Sequence, residues 1–243
     1  MPQLSTHDVE IPIHISAKKI TQRLIIIILC LTITGVISGY FWVTQFPFPS
    51  SKWFYEIFSL DEELNIPAWY SSFMLLFSAG LLAVITSIKK TDKYFIHWKN
   101  LSLIFLFLSI DEAFSLHEIL IIPSLRQVFN FSPIFFQTWV IFGIPAVIFF
   151  GFKYFKFLLH LPKKTQYLFI VAATSYVGGS LGMEMVGGLL REYFSRLGII
   201  TTIGIVIEEL LEMIGIVIFI YALLTYLSSL KEIINLKIYI SEK

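Results

Sequence analysis

The residues with chemical reach crowd into one stretch, Leu108-Ser109-Ile110-Asp111-Glu112-Ala113-Phe114-Ser115-Leu116-His117-Glu118. It holds carboxyls, an imidazole and hydroxyls, yet it sits inside an apolar run from Leu101 to Ile122, and a run of about 20 residues crosses a bilayer. Ionisable groups at that depth are costly, turn toward a bundle interior or cavity, and mark a functional site by default. Two later apolar runs carry acids as well: Glu184 in one, and Glu208, Glu209 and Glu212 in the other. No Lys or Arg lies within these runs to neutralise them.

Buried carboxyls that lack a countercharge take up protons or bind a cation. An oxygen-rich set suits Mg, Ca or Mn, and a mixed carboxylate and imidazole set suits Mn, Fe or Zn. The candidate metal ligands are Asp111, His117, Glu118, Glu184, Glu208 and Glu212. Asp111, Glu112, His117 and Glu209 are the candidate catalytic acids and bases, because proton transfer needs a group that can both hold and release a proton. Ser115 is a candidate substrate contact, and Arg126, Arg191 and Arg196 are candidate clamps for an anionic headgroup. The other histidines, His7, His14, His97 and His160, fall in the tail or loops, which excludes a three-His zinc site. The Glu-x-x-His pairs of di-iron bundles are missing as well.

Helical spacing predicts how these groups project. Asp111, Ser115 and Glu118 stand at i, i+4 and i+7 and share a face, with Glu112 about 100° away. Glu208 and Glu212 form a second stripe with Glu209 at its edge. Ser115 and His117, two apart, face different ways, so they make no local nucleophile and base pair. The competing bland readings are polar glue between helices for the acids, and a satisfied core histidine or proton relay for His117. Asp61, Glu62 and Glu63 read as a solvated loop face.

The elements that must position these groups are membrane helices. The chain has 243 residues, 56% hydrophobic and only 14% charged, with a mean hydropathy of +0.79; soluble domains carry about a quarter charged residues. A net charge of +1 argues against nucleic acid as a partner. A single Cys30 excludes a disulfide framework. The fold class is therefore all-α integral membrane, a single bundle of six transmembrane helices. The spans are expected at about 23–44, 67–88, 100–122, 134–152, 165–188 and 199–227. Residues 1–17 read as a disordered cytoplasmic tail, and 18–243 as one transmembrane domain. The first span, lacking a small-residue cleavage site, reads as a retained anchor.

Fourteen of the 18 Lys and Arg fall on the side of the two termini and the loops after spans two and four. Both termini are therefore expected in the cytoplasm, with the protein multi-pass in the plasma (inner) membrane. Trp42, Trp69 and Trp98 fall at expected span ends as interfacial anchors. The loop after the first span begins apolar and aromatic and ends acidic, which suits a helix lying at the interface. Pro145 and Pro133 are expected to kink or cap the fourth span. Gly35-x-x-x-Gly39 and Gly178-x-x-x-Gly182 read as close-packing faces. On these boundaries Asp111 lies about 17 Å below the outer end of its helix, Glu208 about 14 Å and Glu184 roughly 6–9 Å.

The pattern Ser109-x-Asp111-Glu112-x-x-x-x-His117-Glu118, followed by Glu208-Glu209-x-x-Glu212-x-x-Gly215, resembles a group of bacterial polytopic membrane proteins without an assigned function. The resemblance covers the last four spans best and implies that the acids act as a set. It implies no substrate. In style the site is also similar to intramembrane hydrolases of the alkaline-ceramidase type, but Glu208 and Glu212 stand where a His-x-x-x-His would be, so no activity carries over.

The leading expectation is a metal-dependent intramembrane hydrolase or transferase acting on a lipid or lipid-linked substrate, with membrane lipids as its surroundings. A proton- or cation-coupled transporter or channel is the first alternative, although the cytoplasmic halves of the last spans lack polar residues to complete a route. The second is a scaffold subunit whose acids pair with basic helices of a partner.

Overall fold

A computed structural model describes residues 16–44, 50–129, 131–194 and 198–230, except for the side chains of 125–127. The expected tail, apart from its last two residues, and residues 231–243 lie outside the described residues. Among the described residues all regular secondary structure is helical, without strands. The helices are α1 (Ala17–Val43), α2 (Ser51–Phe58), α3 (Ile66–Ile88), α4 (Phe95–Phe114), α5 (Pro123–Phe129), α6 (Val140–His160), α7 (Lys163–Val177), α8 (Glu184–Tyr193) and α9 (Ile199–Ser229). A π-helical turn, Gly178–Met183, joins α7 to α8, and 3₁₀ turns cover Leu116–Leu120 and Pro133–Phe135. Four helical rods are long and apolar enough to cross a membrane: Ala17–Val43, Ile66–Ile88, Val140–His160 and Lys163–Tyr193.

Local chemistry sets the helix ends. Asn65 starts α3: its side-chain carbonyl accepts from the Ala68 N–H, and Pro67 fills a first-turn position that needs no donor. The expected interfacial segment does form a helix, α2, whose Tyr55 stacks on Trp42 of α1 at 5.6 Å.

The core is built around α9, which packs against α1, α3, α7 and the π turn. Its apolar residues Met213, Ile216, Val217, Ile220 and Leu223 are almost fully buried. Beside it α3 and α4 run antiparallel, pinned by hydroxyls. Ser72 Oγ donates to the Ser109 carbonyl at 2.7 Å, Ser109 Oγ returns to the Ser72 carbonyl at 2.9 Å, and Ser102 Oγ reaches the Ala79 carbonyl at 2.9 Å. Each bond satisfies a polar group that would be expensive to bury alone.

Several expectations are corrected. The third span does not run to residue 122, because α4 stops at Phe114: Ser115 takes a left-handed conformation (φ 51°, ψ 44°), and its N–H closes on the Asp111 carbonyl. Serine rarely adopts that region, which a continuing helix cannot include. Glu118 therefore lies on a 3₁₀ turn, exposed, and does not share a helical face with Asp111. The fourth span starts at Val140 rather than 134, since residues 133–135 are spent in a 3₁₀ turn; Pro145 lies inside α6. The fifth continues to Tyr193, which brings Arg191 within the rod instead of beyond it.

Trp98 is not an interfacial anchor. Because α4 begins at Phe95, Trp98 stands one turn inside it, 1% exposed, edge-on to Phe157 at 4.8 Å and stacked on Tyr226 at 5.2 Å. Trp42 and Trp69 are exposed. The glycine faces also differ: a Cβ on Gly39, Gly178 or Gly182 would meet nothing, whereas Gly35 abuts Leu60 and the Phe58 carbonyl. Close approach between α9 and the α7–α8 rod instead uses Gly179, against Glu212 and the Glu208 carbonyl, and Gly215, against Ala172 and Tyr176.

Candidate functional site

The end of α4 folds back on its own acid. One oxygen of Asp111 accepts the His117 backbone N–H at 2.7 Å, and the other lies 3.2 Å from His117 Nδ1. A carboxylate can only accept, so this contact places the ring proton on Nδ1 and leaves Nε2 to exchange protons. The ring also faces Trp139 at 5.3 Å. Behind it Thr138, 1% exposed, holds the turn: its hydroxyl donates to the Leu120 carbonyl at 2.6 Å and accepts from the Ile122 N–H at 2.7 Å. Burial disfavours a charged His117, but the hydrogen bond to Asp111 and the charges of Asp111, Glu63 and Glu112 outweigh it and raise its pKa.

The remaining acids form one electrostatic neighbourhood. Glu112 interacts with Glu63, His117 and Asp111 from α4 outward, and with Glu209 of α9. Glu209 leads down α9 to Glu212, and Tyr176 of α7 is close enough to feel Glu212, Glu112, Asp111 and Glu209. Glu184 and Glu208 share a hydrogen bond between α8 and α9. The π turn and Gly179 allow this approach, since a side chain at 179 would stand 2.7 Å from the Glu212 side chain. π turns of this kind recur at functional sites.

Arg191 supplies the countercharge missing from the apolar runs. Its guanidinium lies 3.3 Å from Asp61, 4.0 Å from Glu184 and 5.5 Å from the Phe136 ring centroid. It is thus engaged by the protein's own acids. Arg196 and the side chain of Arg126 lie outside the described residues.

Of the acids expected on a solvated loop face, Glu62 and Glu63 are exposed, whereas Asp61 is partly buried and paired. Asp61 holds Arg191, and Glu63 accepts from the buried Ser115 hydroxyl at 3.2 Å. Glu63 is an exposed residue, yet the protein around its carboxyl strips away enough water to raise its pKa, with His117 pulling the other way. The loop that carries both acids is braced by Asn65, whose amide donates to the Ser59 carbonyl at 2.7 Å and the Glu62 carbonyl at 2.8 Å.

Depths change with the helix ends. Asp111 is one turn from the end of α4, about 5 Å rather than about 17 Å, and Glu184 lies about 14 Å from the end of the rod at Tyr193. The six candidate metal ligands divide into the Asp111 and His117 pair, the Glu184 and Glu208 pair, Glu212 beneath them, and the exposed Glu118. Among the described residues, no three His, Cys, Asp or Glu side chains converge closely enough to hold a metal ion. Tyr176 escaped sequence reasoning because a tyrosine in an apolar helix carries no signal of its own.

Toward the opposite end the site is closed. Below Glu212 the interior is filled by Leu82, Ile85, Trp98, Phe157, Phe169 and Phe219. Phe105 and Phe219 stack at 4.4 Å across it.

No curated protein and no solved structure matches this chain. Residues 24–227, which include every site acid, match the family model described as "Domain of unknown function (DUF8692)". The protein belongs to the DUF8692 family.

Proposed function

We propose that this is a six-span enzyme of the plasma membrane that performs acid–base chemistry on a lipid or lipid-linked substrate. The spans are α1, α3, α4, α6, the α7–α8 rod and α9. The lysine-rich loops, and with them both termini, face the cytoplasm, so the acid-bearing end opens outward. His117, oriented by Asp111, exchanges the proton at Nε2. Glu112 and Glu209 stand behind it as acids through which the proton is relayed, and Tyr176 and Glu212 complete the set.

The observation that carries this reading is the double grip of Asp111 on His117. Holding both the backbone N–H and Nδ1 fixes the ring's tautomer and direction, as a general base requires. The apolar closure below Glu212 favours an enzyme over a transporter, because a transported ion needs a polar path on both sides. Arg191 likewise supplies internally the countercharge that a scaffold would take from a partner helix. A divalent metal, if one takes part, would have to be completed by substrate oxygens, as is common for Mg.

The test is to reconstitute the purified protein with membrane lipid extract and follow lipid species by mass spectrometry, beside a His117→Gln variant. Time-dependent conversion of a lipid class by the wild type alone is the expected result. Identical lipid profiles, with both proteins folded, would overturn the proposal.

A further inference from the structure

A groove of about 270 Å³ opens between the start of α3 and the end of α4, lined by Leu64, Trp69, Ser72, Ala113 and Phe114. Its volume is below the ~300–1,000 Å³ that encloses a whole drug-sized ligand; it suits a single chain. Leu64, Trp69 and Phe114 are 58%, 60% and 67% exposed, so the groove opens on the flank of the bundle rather than into its core. At its floor Ser72 is already bonded to Ser109 and offers no free hydroxyl proton.

The polar end of the groove is set by chain continuity. Leu64 follows Glu63, and Ala113 and Phe114 lie between Glu112 and Ser115. The Ser115 hydroxyl meets the Glu63 carboxylate at 3.2 Å, beside the Asp111 and His117 pair. Acids outnumber bases at this mouth: Glu63, Asp111, Glu112 and Glu118 gather around the single imidazole of His117, which Asp111 already holds. Apart from His117, the described cations at this end are engaged elsewhere, Arg191 with Asp61 and Glu184, and Lys52 with Glu56 at 3.4 Å. An anionic head would meet repulsion here, whereas an ammonium would find acceptors and opposite charge.

We propose that this groove binds the hydrocarbon chain of an amphiphile whose head is a cationic amine, seated at Glu63 and Ser115 within reach of His117. This rests on the acid–base reading of the site and narrows its substrate class to amine-headed lipids.

Trp69 gives a direct readout. Alkylamines brominated along the chain quench a tryptophan they touch, and a Trp69→Phe variant identifies that part of the signal. With the full-length protein in nanodiscs of uncharged lipid, the brominated alkylamine should quench Trp69 saturably. An alkyl sulfate of equal chain length should bind at least tenfold more weakly. Glu63→Gln should weaken amine binding about tenfold, the scale of one charged hydrogen bond, and Ala113→Trp, which fills the groove, should abolish it. Equal quenching by both heads, or amine quenching indifferent to Glu63→Gln, would overturn the proposal. Saturable amine binding without any lipid turnover would leave this site standing and overturn the enzyme, whereas turnover of anionic lipids alone would do the reverse.

Discussion

The two halves of the bundle use the same helices for opposite purposes. Toward the lysine-rich loops, α4 and α9 contribute Trp98, Phe105, Phe219 and Tyr226, which interlock with Phe157 and Phe169. Toward the other end the same helices contribute Asp111, Glu112, Glu208, Glu209 and Glu212. The first half is held by van der Waals packing of its side chains, which is non-directional and forgiving of small shifts. The second half depends on directional contacts: a double grip on His117, a carboxyl pair, and one guanidinium shared by two acids. The aromatic half thus serves as the platform against which a polar half is assembled, and the two should fail in different ways.

The largest effect is expected from breaking the directional half without disturbing the platform. Asp111→Asn should lower lipid conversion by about 10²–10⁴-fold, the range for a positioned acid or base, while thermal unfolding in detergent shifts little. Breaking the platform should do the reverse: Trp98→Ala should cost about 3–5 kcal/mol of stability, as for other buried large-to-small aromatic changes, with conversion per folded molecule retained. Denaturant titration followed by circular dichroism separates these two outcomes. Gly179→Ala joins the halves. Its Cβ would stand 2.7 Å from Glu212 Cγ and 2.9 Å from the Glu208 carbonyl, so overpacking should cost about 1–3 kcal/mol and reduce conversion together.

The smallest effect concerns pH. Folded Glu63 holds its proton to a higher pH than the unfolded chain does. Between the ordinary value and the raised one the folded state therefore binds more protons, and stability falls as pH rises through that window. Glu63→Gln should remove this slope and leave the protein slightly more stable above the window than the wild type. Melting curves from weakly acidic to neutral pH would show it. An unchanged slope would mean that Glu63 is solvated after all.

The acids were legible because an apolar context makes each carboxyl conspicuous, and so was the all-helical fold, whose long apolar runs leave little choice of secondary structure. The end of α4 was not legible. Leu116 to Ile122 continues the apolar pattern, and hydropathy does not register that Ser115 turns left-handed. Trp98 misled for a related reason: a tryptophan near a span end has the composition of an anchor whether it faces lipid or α9. The partners of the loop acids were hidden by distance along the chain, since Asp61 and Arg191 are 130 residues apart. Such contacts are decided by packing that no local window contains.

The measurement that bears most directly on the acid–base centre is a nitrogen NMR titration of ¹⁵N-histidine-labelled protein, with His117→Gln to assign the His117 signal. Asp111 should hold its proton on Nδ1 and keep its pKa above that of an ordinary histidine, and Asp111→Asn should lower that pKa. An ordinary titration, unchanged by Asp111→Asn, would mean that the pair does not exist in solution and would contradict the account.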